Sequence, residues 1–133
     1  MKNKDNFFLD IAKQVAKASY CKRRQVGAVI VKDDNIISFG YNGTISGFVN
    51  ECECDNVTKK DVLHAESNAI AKCCKSSYSS DGATMYITLS PCFECAKIII
   101  QSGIKKVVYF QNYTDLSGVD LLIKSKIDVL QII

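Results

Sequence analysis

The sequence LHAESNAI at residues 63–70 contains the only histidine of the chain, His64. After one further apolar segment, the sequence TLSPCFECAK at residues 88–97 contributes a Cys-x-x-Cys pair, Cys92 and Cys95. Residue patterns predict a helix start at both places, and the second start directly follows a predicted strand. These two stretches therefore define a strand-to-helix framework on which the rest of the chain is interpreted.

The N-terminal third predicts a helix followed by a β-hairpin. Apolar residues recur at three- and four-residue spacing over residues 5–19, as in an amphipathic helix. The apolar runs at 26–31 and 36–40 predict two antiparallel strands, because the Asp-Asp-Asn between them is turn-forming. Residues 49–61 are polar and follow neither periodicity, so we expect an irregular loop there.

From residue 64 onward, helices and strands are predicted to alternate. The expected helices cover about 64–75, 91–102 and 115–125, and each one is followed by an apolar strand. Such alternation favours parallel strands joined by crossover helices. We therefore predict an α/β layer sandwich whose later strands are parallel, in a single domain over residues 1–133.

Composition restricts the class of protein. A chain of 133 residues with 47% hydrophobic residues is long enough for one folded core. The net charge of +3 fits a small anionic ligand and does not indicate a nucleic-acid partner. No apolar run approaches a membrane span, and no signal peptide is recognisable. Seven cysteines fit metal ligands with additional thiols better than a disulfide framework, which favours a cytoplasmic location.

The Cys-x-x-Cys pair and the histidine match a catalytic zinc site. Cys92 and Cys95 share one face of a first helical turn, where the helix dipole favours thiolates. With His64 they make three protein ligands, which leaves the fourth position of zinc open to water. Zinc lowers the pKa of such a water from about 15.7 to about 7. By itself, the Cys-x-x-Cys motif is more often a structural zinc knuckle or a pair of buried thiols.

Glu66 distinguishes a catalytic site from a structural one. It lies two residues after His64, and at a first helical turn both side chains can border one pocket. A carboxylate beside the zinc-bound water can take its proton and pass it to a ring nitrogen and then to departing ammonia. Hydrolytic deamination requires such a proton transfer, and His-x-Glu with Pro-Cys-x-x-Cys is the signature of zinc-dependent nucleobase deaminases.

Five segments extend this likeness along nearly the whole chain. The sequence resembles the deoxycytidylate (dCMP) deaminase family, and its motifs follow one another in the same order as in that family. Many deaminases share the zinc motif, whereas the GYNG motif and the upstream RRQVGAV motif are typical of a much smaller group of them. The five segments are CKRRQVGAVIV at 21–31, GYNG at 40–43, HAESNAI at 64–70, TLSPCFECAK at 88–97 and SGIKKVVY at 102–109.

The resemblance implies hydrolysis of dCMP to dUMP and ammonia, which supplies thymidylate synthesis. Zinc-bound hydroxide would attack C4 of the base, with Glu66 as the proton shuttle. The implied fold is a three-layer α/β/α sandwich around a mixed five-stranded sheet, with an antiparallel N-terminal hairpin and parallel later strands. The family also implies a homo-oligomer, commonly a hexamer, that dCTP activates and dTTP inhibits together with Mg²⁺.

The resemblance also assigns residues to the substrate and the effector. Asn42 is expected to contact the sugar or the base, and an amide suits either because it both donates and accepts. Ala65 and Ser90 are expected to line the same substrate site. Tyr41 and Gly43 are expected to border the regulatory nucleotide. The alternative for the Asn-Gly pair is a simple turn.

A nucleotide substrate requires cations for its phosphate. Arg23 and Arg24 directly precede the first predicted strand and offer bidentate hydrogen bonds to phosphate. Whether they contact the substrate or an effector is open, and a solvated charged run is the alternative. Tyr113 and Lys97 are weaker candidates.

Cys21, Cys52 and Cys54 are candidates for a second zinc site. Some family members carry a longer insertion with a second, structural zinc held by cysteine and histidine. In this chain the insertion is short and the one histidine is already assigned. Thiols without a functional role are the alternative.

Two other functions fit parts of the sequence. Another zinc deaminase would act on free cytidine, a guanine-type base or tRNA adenosine. An RNA-acting enzyme should have a broader basic surface, and a nucleoside enzyme needs no phosphate ligands. The second alternative is a non-catalytic zinc-binding interaction module, which has no use for Glu66.

Overall fold

The computed structural model describes residues 1–133 and contains four helices and nine strands. The helices are α1 (Lys4–Ala16), α2 (Ala65–Cys74), α3 (Phe93–Gln101) and α4 (Ser117–Lys124). None of them combines the length and apolar character needed to cross a membrane. The strands are β1 (Gly27–Lys32), β2 (Asn35–Tyr41), β3 (Gly43–Thr44), β4 (Glu53–Cys54), β5 (Val57–Thr58), β6 (Val62–Leu63), β7 (Thr84–Leu89), β8 (Lys106–Gln111) and β9 (Asp128–Gln131).

Five strands form the central sheet in the order β2-β1-β7-β8-β9. β1 pairs antiparallel with both β2 and β7, whereas β7, β8 and β9 are parallel. The predicted mixed sheet, with its antiparallel hairpin and parallel later strands, is confirmed. The two-residue turn between β1 and β2 consists of Asp33 and Asp34, both with positive φ. Two such residues give a turn whose twist matches that of the flanking strands.

Alternate residues of β1 face two separate layers of helices. Val29 and Val31 belong to a cluster with α1 on one side of the sheet. Ala28 and Ile30 belong to a larger cluster that includes α2, α3 and α4 on the other side. This two-residue alternation is the pattern of a strand buried on both faces. The predicted three-layer α/β/α sandwich is therefore confirmed.

Gly40 of β2 sets the distance between the sheet and α2. A Cβ at this position would lie 2.5 Å from the backbone nitrogen of Ala69 and 2.8 Å from the carbonyl oxygen of Ala65. Only glycine permits this approach of helix backbone to strand. The approach fixes the position of α2, whose N-terminus borders the candidate site.

Two predictions of local structure were wrong. The first helix ends at Ala16 and not near residue 19, since the Ser19 hydroxyl accepts the Cys21 N–H and donates to the carbonyl of Asn42. The segment 49–61 is not an irregular loop, because it contains the β4–β5 hairpin. It is followed by β6, which pairs with β3. Two-residue strands are too short to produce a recognisable period.

Candidate metal centre and active site

Two helix N-termini meet at the candidate metal centre. His64 is the N-cap residue of α2. Cys92 is the N-cap residue of α3, and its Sγ accepts a hydrogen bond from the backbone N–H of Cys95 at 3.5 Å. The partial positive charge and free N–H groups of a helix N-terminus favour thiolate over thiol. Gly118 of α4 packs closely against this start of α3. A Cβ at Gly118 would clash with the carbonyl oxygen of Pro91, so a glycine is needed there.

The donor atoms of the three predicted ligands lie together. His64 Nδ1 is 3.2 Å from Cys95 Sγ and 3.6 Å from Cys92 Sγ. All three donors lie within 4.8 Å of one another. Tetrahedral zinc with bonds of about 2.3 Å to sulfur and about 2.0 Å to nitrogen places these donors roughly 3.5 Å apart. The side chains are therefore positioned to bind zinc, and both the donor types and the spacing fit that ion.

Hydrogen bonds among the ligands separate the pKa values of the two thiols. The hydrogen bonds of Cys92 with Cys95 and His64 lower the pKa of Cys92 to about 4. The hydrogen bond to Cys92, together with burial, raises the pKa of Cys95. The hydrogen bond to Cys92 also raises the pKa of His64. Cys92 is therefore a thiolate at neutral pH, a soft anionic donor of the kind that zinc prefers.

Glu66 lies in the first turn of α2 and borders the same pocket as His64. Its side chain is buried, with 4% of the residue exposed. Burial raises the pKa of Glu66 to about 7. A carboxyl group with a pKa near neutrality both accepts and donates protons readily, as a proton shuttle requires.

A pocket of about 690 Å³ extends from the metal centre. Its volume falls within the range of small-molecule sites, roughly 300–1,000 Å³. All five predicted substrate residues line the pocket together with Glu66, His64 and Cys92. These five residues are Arg23, Arg24, Asn42, Ala65 and Ser90.

The predicted effector residues lie outside this pocket. Tyr41 ends β2, and its backbone carbonyl accepts a hydrogen bond from the side chain of Asn68 in α2 at 3.0 Å. Gly43 begins β3, and apart from its two neighbours in the chain no residue lies within 4 Å of where its Cβ would stand. Nothing in this geometry assigns a ligand to either residue, so their effector role stays a prediction.

Residues 21–24, which contain Arg23 and Arg24, are referred to as the arginine-containing segment. Asn42 connects this segment to the end of β2. Its side-chain oxygen accepts the N–H of Val26, and its side-chain nitrogen donates to the carbonyl of Arg24, both at 2.8 Å. An amide group has one further donor and one further acceptor position beyond these two bonds. Asn42 therefore holds the backbone around Arg24 and still presents polar groups to the pocket.

Ser90 holds a further part of the pocket wall. Its buried hydroxyl accepts the backbone N–H of Tyr113 at 2.7 Å. The Tyr113 ring lies beneath the guanidinium of Arg24, with 5.0 Å between the guanidinium carbon and the ring centroid. Lys97, in contrast, pairs with Glu94 at 2.7 Å and is not part of the pocket.

Neither arginine side chain in the pocket has an acidic partner. Arg23 donates to the hydroxyl of Thr58 at 3.3 Å. None of the five ion pairs in the structure includes Arg23 or Arg24. Both guanidinium groups are therefore available to an anion in the pocket.

Several pocket residues were not anticipated from the sequence. Glu53 and Thr58 come from the β4–β5 hairpin, which no periodic pattern indicated. Apolar wall residues are likewise indistinguishable from core residues before the fold is known. The unanticipated residues are Val26, Glu53, Thr58, Val62, Leu89 and Thr114.

The second zinc site predicted from Cys21, Cys52 and Cys54 does not form. Cys21 and Cys52 are joined in a disulfide. Sulfur atoms bonded to each other are no longer thiolate ligands, and Cys54 is an exposed free thiol. The disulfide instead connects the arginine-containing segment to the β4–β5 hairpin.

Residues 2–111 match the family described as the cytidine and deoxycytidylate deaminase zinc-binding region. The chain belongs to the cytidine and deoxycytidylate deaminase family. It is 41% identical to ComE operon protein 2 of Bacillus subtilis over 82% of this chain, and spans 60% of that protein. It is 38% identical to the deoxycytidylate deaminase of Enterobacteria phage T4, over 79% of this chain and 76% of the phage enzyme.

A solved structure of this deaminase family closely matches the whole fold. It is the crystal structure of dCMP deaminase from the cyanophage S-TIM5 in complex with dCMP and dUMP. The two chains are 41% identical and superpose with a TM-score of 0.96 over 99% of each chain. The predicted family and fold are confirmed by these comparisons.

Proposed function

We propose that this protein is a zinc-dependent dCMP deaminase, a hydrolase that converts dCMP and water to dUMP and ammonia. One observation carries the proposal: the His64, Cys92 and Cys95 donors lie together, and the pocket that His64 and Cys92 line also contains buried Glu66 and two arginines that lack acidic partners. The identity to deoxycytidylate deaminase of phage T4 and the fold match to the S-TIM5 enzyme with dCMP and dUMP support this substrate.

His64, Cys92 and Cys95 would hold the zinc, which would supply Lewis acidity and make a hydroxide nucleophile available at neutral pH. The carboxylate of Glu66 takes a proton from the attacking water and delivers it to N3 of the cytosine ring. It then takes the proton of the new hydroxyl group at C4 and passes it to the amino group, which leaves as ammonia while the C4 carbonyl forms. Burial of Glu66 excludes bulk water from these transfers and keeps its pKa near 7.

Arg23 and Arg24 are proposed to bind the 5′-phosphate of the substrate. A phosphate monoester carries close to two negative charges at neutral pH, and a guanidinium can donate two parallel hydrogen bonds to it. Tyr113 supports the Arg24 guanidinium from below, which limits its rotamers before the substrate arrives. These cations favour a nucleotide over the free nucleoside.

The proposal is tested by measuring ammonia release from dCMP, CMP, deoxycytidine and a tRNA anticodon stem-loop, with the zinc content determined on the same preparation. We expect one zinc per chain and preferred turnover of dCMP. Preferred turnover of deoxycytidine would contradict the phosphate assignment. Turnover of the RNA alone would indicate a tRNA adenosine deaminase, and no turnover by the zinc-loaded protein would favour an interaction module.

Regulation and assembly are further parts of the proposal. We expect the single domain of residues 1–133 to form a homo-oligomer in the cytoplasm. We also expect dCTP to activate the enzyme and dTTP to inhibit it in the presence of Mg²⁺. The dUMP that it produces would supply thymidylate synthesis. By the family resemblance, we expect the effector to lie near Tyr41 and Gly43. Light scattering and dCMP kinetics with dCTP or dTTP test these expectations.

A further inference from the structure

Glu53 is the one acidic residue besides Glu66 in the wall of the pocket. Its carboxylate accepts the backbone N–H of Lys22 at 3.1 and 3.3 Å and that of Arg23 at 3.1 Å. A carboxylate beside a phosphate site repels the phosphate and weakens its binding. The presence of Glu53 in the pocket wall therefore suggests that this side chain has another role there. The hydrogen bonds with the backbone of the arginine-containing segment indicate what that role is.

Arg23 is held at two points by one hairpin. Glu53 of β4 and Thr58 of β5 are directly opposite each other in the antiparallel pair. Glu53 binds the backbone of Arg23, and Thr58 accepts from its guanidinium at 3.3 Å. Both the main chain and the end of this long side chain are therefore oriented by adjacent residues, which lowers the entropy lost on binding an anion.

The Cys21–Cys52 disulfide holds the same two segments together. Cys52 immediately precedes Glu53, and Cys21 immediately precedes Lys22. The hydrogen bonds of Glu53 therefore continue a covalent connection between the hairpin and the arginine-containing segment. The hairpin therefore both lines the pocket with Glu53 and Thr58 and holds Arg23 in place.

We propose that Glu53 is a positioning residue that orients Arg23 toward the 5′-phosphate, so that the β4–β5 hairpin contributes to the preference for nucleotide over nucleoside. This inference rests on the proposed dCMP deaminase function. Positioning and charge repulsion predict opposite signs for the effect of removing the carboxylate. If positioning dominates, dCMP binds more weakly after the substitution; if repulsion dominates, it binds more tightly.

The test is steady-state kinetics of zinc-loaded Glu53→Ala with dCMP and with deoxycytidine. Because a hydrogen-bonded charged group is removed, we expect KM for dCMP to rise about tenfold, with kcat/KM for deoxycytidine changed less than about twofold. Glu53→Gln retains an acceptor oxygen and should lie between wild type and alanine. Thr58→Val, which removes only the guanidinium contact, should raise KM for dCMP by about two- to threefold.

Glu51→Ala is the matched control, because this substitution removes the same charge from a position two residues before Glu53. The Glu51 side chain pairs only with Lys59 at the surface. An unchanged or lower KM for dCMP in Glu53→Ala and Glu53→Gln overturns the inference and leaves dCMP deamination by the wild type intact. If the alanine variant does not fold, the Gln and Thr58→Val variants decide. Absence of dCMP turnover by the wild-type protein overturns both the proposed function and this inference.

Discussion

Glu66 combines burial with a position beside the proposed zinc ligands. Its carboxyl group has a pKa raised to about 7 by that burial. A general base must be deprotonated to accept a proton, so the fraction of active enzyme falls as the pH falls through this pKa. A bound cation nearby favours the ionised form and moves the midpoint downward.

We therefore predict that kcat for dCMP falls toward acidic pH with a midpoint at or below about pH 7, approaching a tenfold loss per pH unit below it. The measurement is kcat of the zinc-loaded protein from pH 5 to pH 9, with zinc content checked at each pH. A rate that rises toward acidic pH, with zinc retained, would contradict the role of Glu66 as the base.

Arg24 lies over Tyr113 and has no acidic partner. Loss of a charge-assisted hydrogen bond to phosphate typically corresponds to about 1.5–3 kcal/mol. We predict that Arg24→Ala raises KM for dCMP by roughly 10- to 100-fold and leaves kcat/KM for deoxycytidine nearly unchanged.

Lys22→Ala is the control for Arg24→Ala, because it removes an equal charge two residues away. The Lys22 side chain does not line the pocket. Both variants are compared with wild type in dCMP and deoxycytidine kinetics. Equal effects of the two substitutions on KM would indicate a general charge effect and would refute a direct phosphate contact by Arg24.

At the scale of elements, periodic segments were predictable and paired fragments were not. The β1–β2 hairpin followed from two apolar runs around an Asp-Asp-Asn turn, and both aspartates do adopt positive φ. The β3–β6 and β4–β5 pairs have two residues in each strand, so hydrogen bonding across the fold determines them and sequence period does not. The positions of Glu53 and Thr58 in the pocket depend on these short pairs.

The Cys21–Cys52 disulfide closes a loop with a sequence separation of 31 residues. A disulfide of this kind typically contributes about 2–4 kcal/mol by restricting the unfolded chain. We predict that Cys52→Ser lowers the free energy of unfolding by about that amount and raises KM for dCMP, because the hairpin loses its connection to the arginine-containing segment.

The Cys54→Ser variant provides the matched control, since Cys54 is an exposed free thiol on the same hairpin. Denaturant unfolding and dCMP kinetics are measured for both variants in the absence of reductant. Equal stability of Cys52→Ser and the wild type would show that the bond does not stabilise the fold, and a large effect of Cys54→Ser would point to a different sulfur chemistry.

At the scale of the whole molecule, the site assembles at the end of β7 from segments far apart in sequence. The ligand residues were predictable because each motif determines its own helix start, and the shared motif order indicated that the starts would meet. The contacts around the arginines were not predictable, because Asn42, Glu53 and Tyr113 reach them only through the folded sheet and loops. Sequence patterns therefore indicated the chemistry more completely than the support around it.

The central claim is that this three-layer fold places Glu66 beside a zinc site for hydrolysis of dCMP. The most direct test compares conversion of dCMP to dUMP by the wild type and Glu66→Gln, with zinc measured in both. We predict one zinc per chain in each protein and a loss of turnover of at least about 10²-fold in the variant, since proton transfer is removed and the ligands are not. Unchanged turnover by zinc-loaded Glu66→Gln would contradict the account.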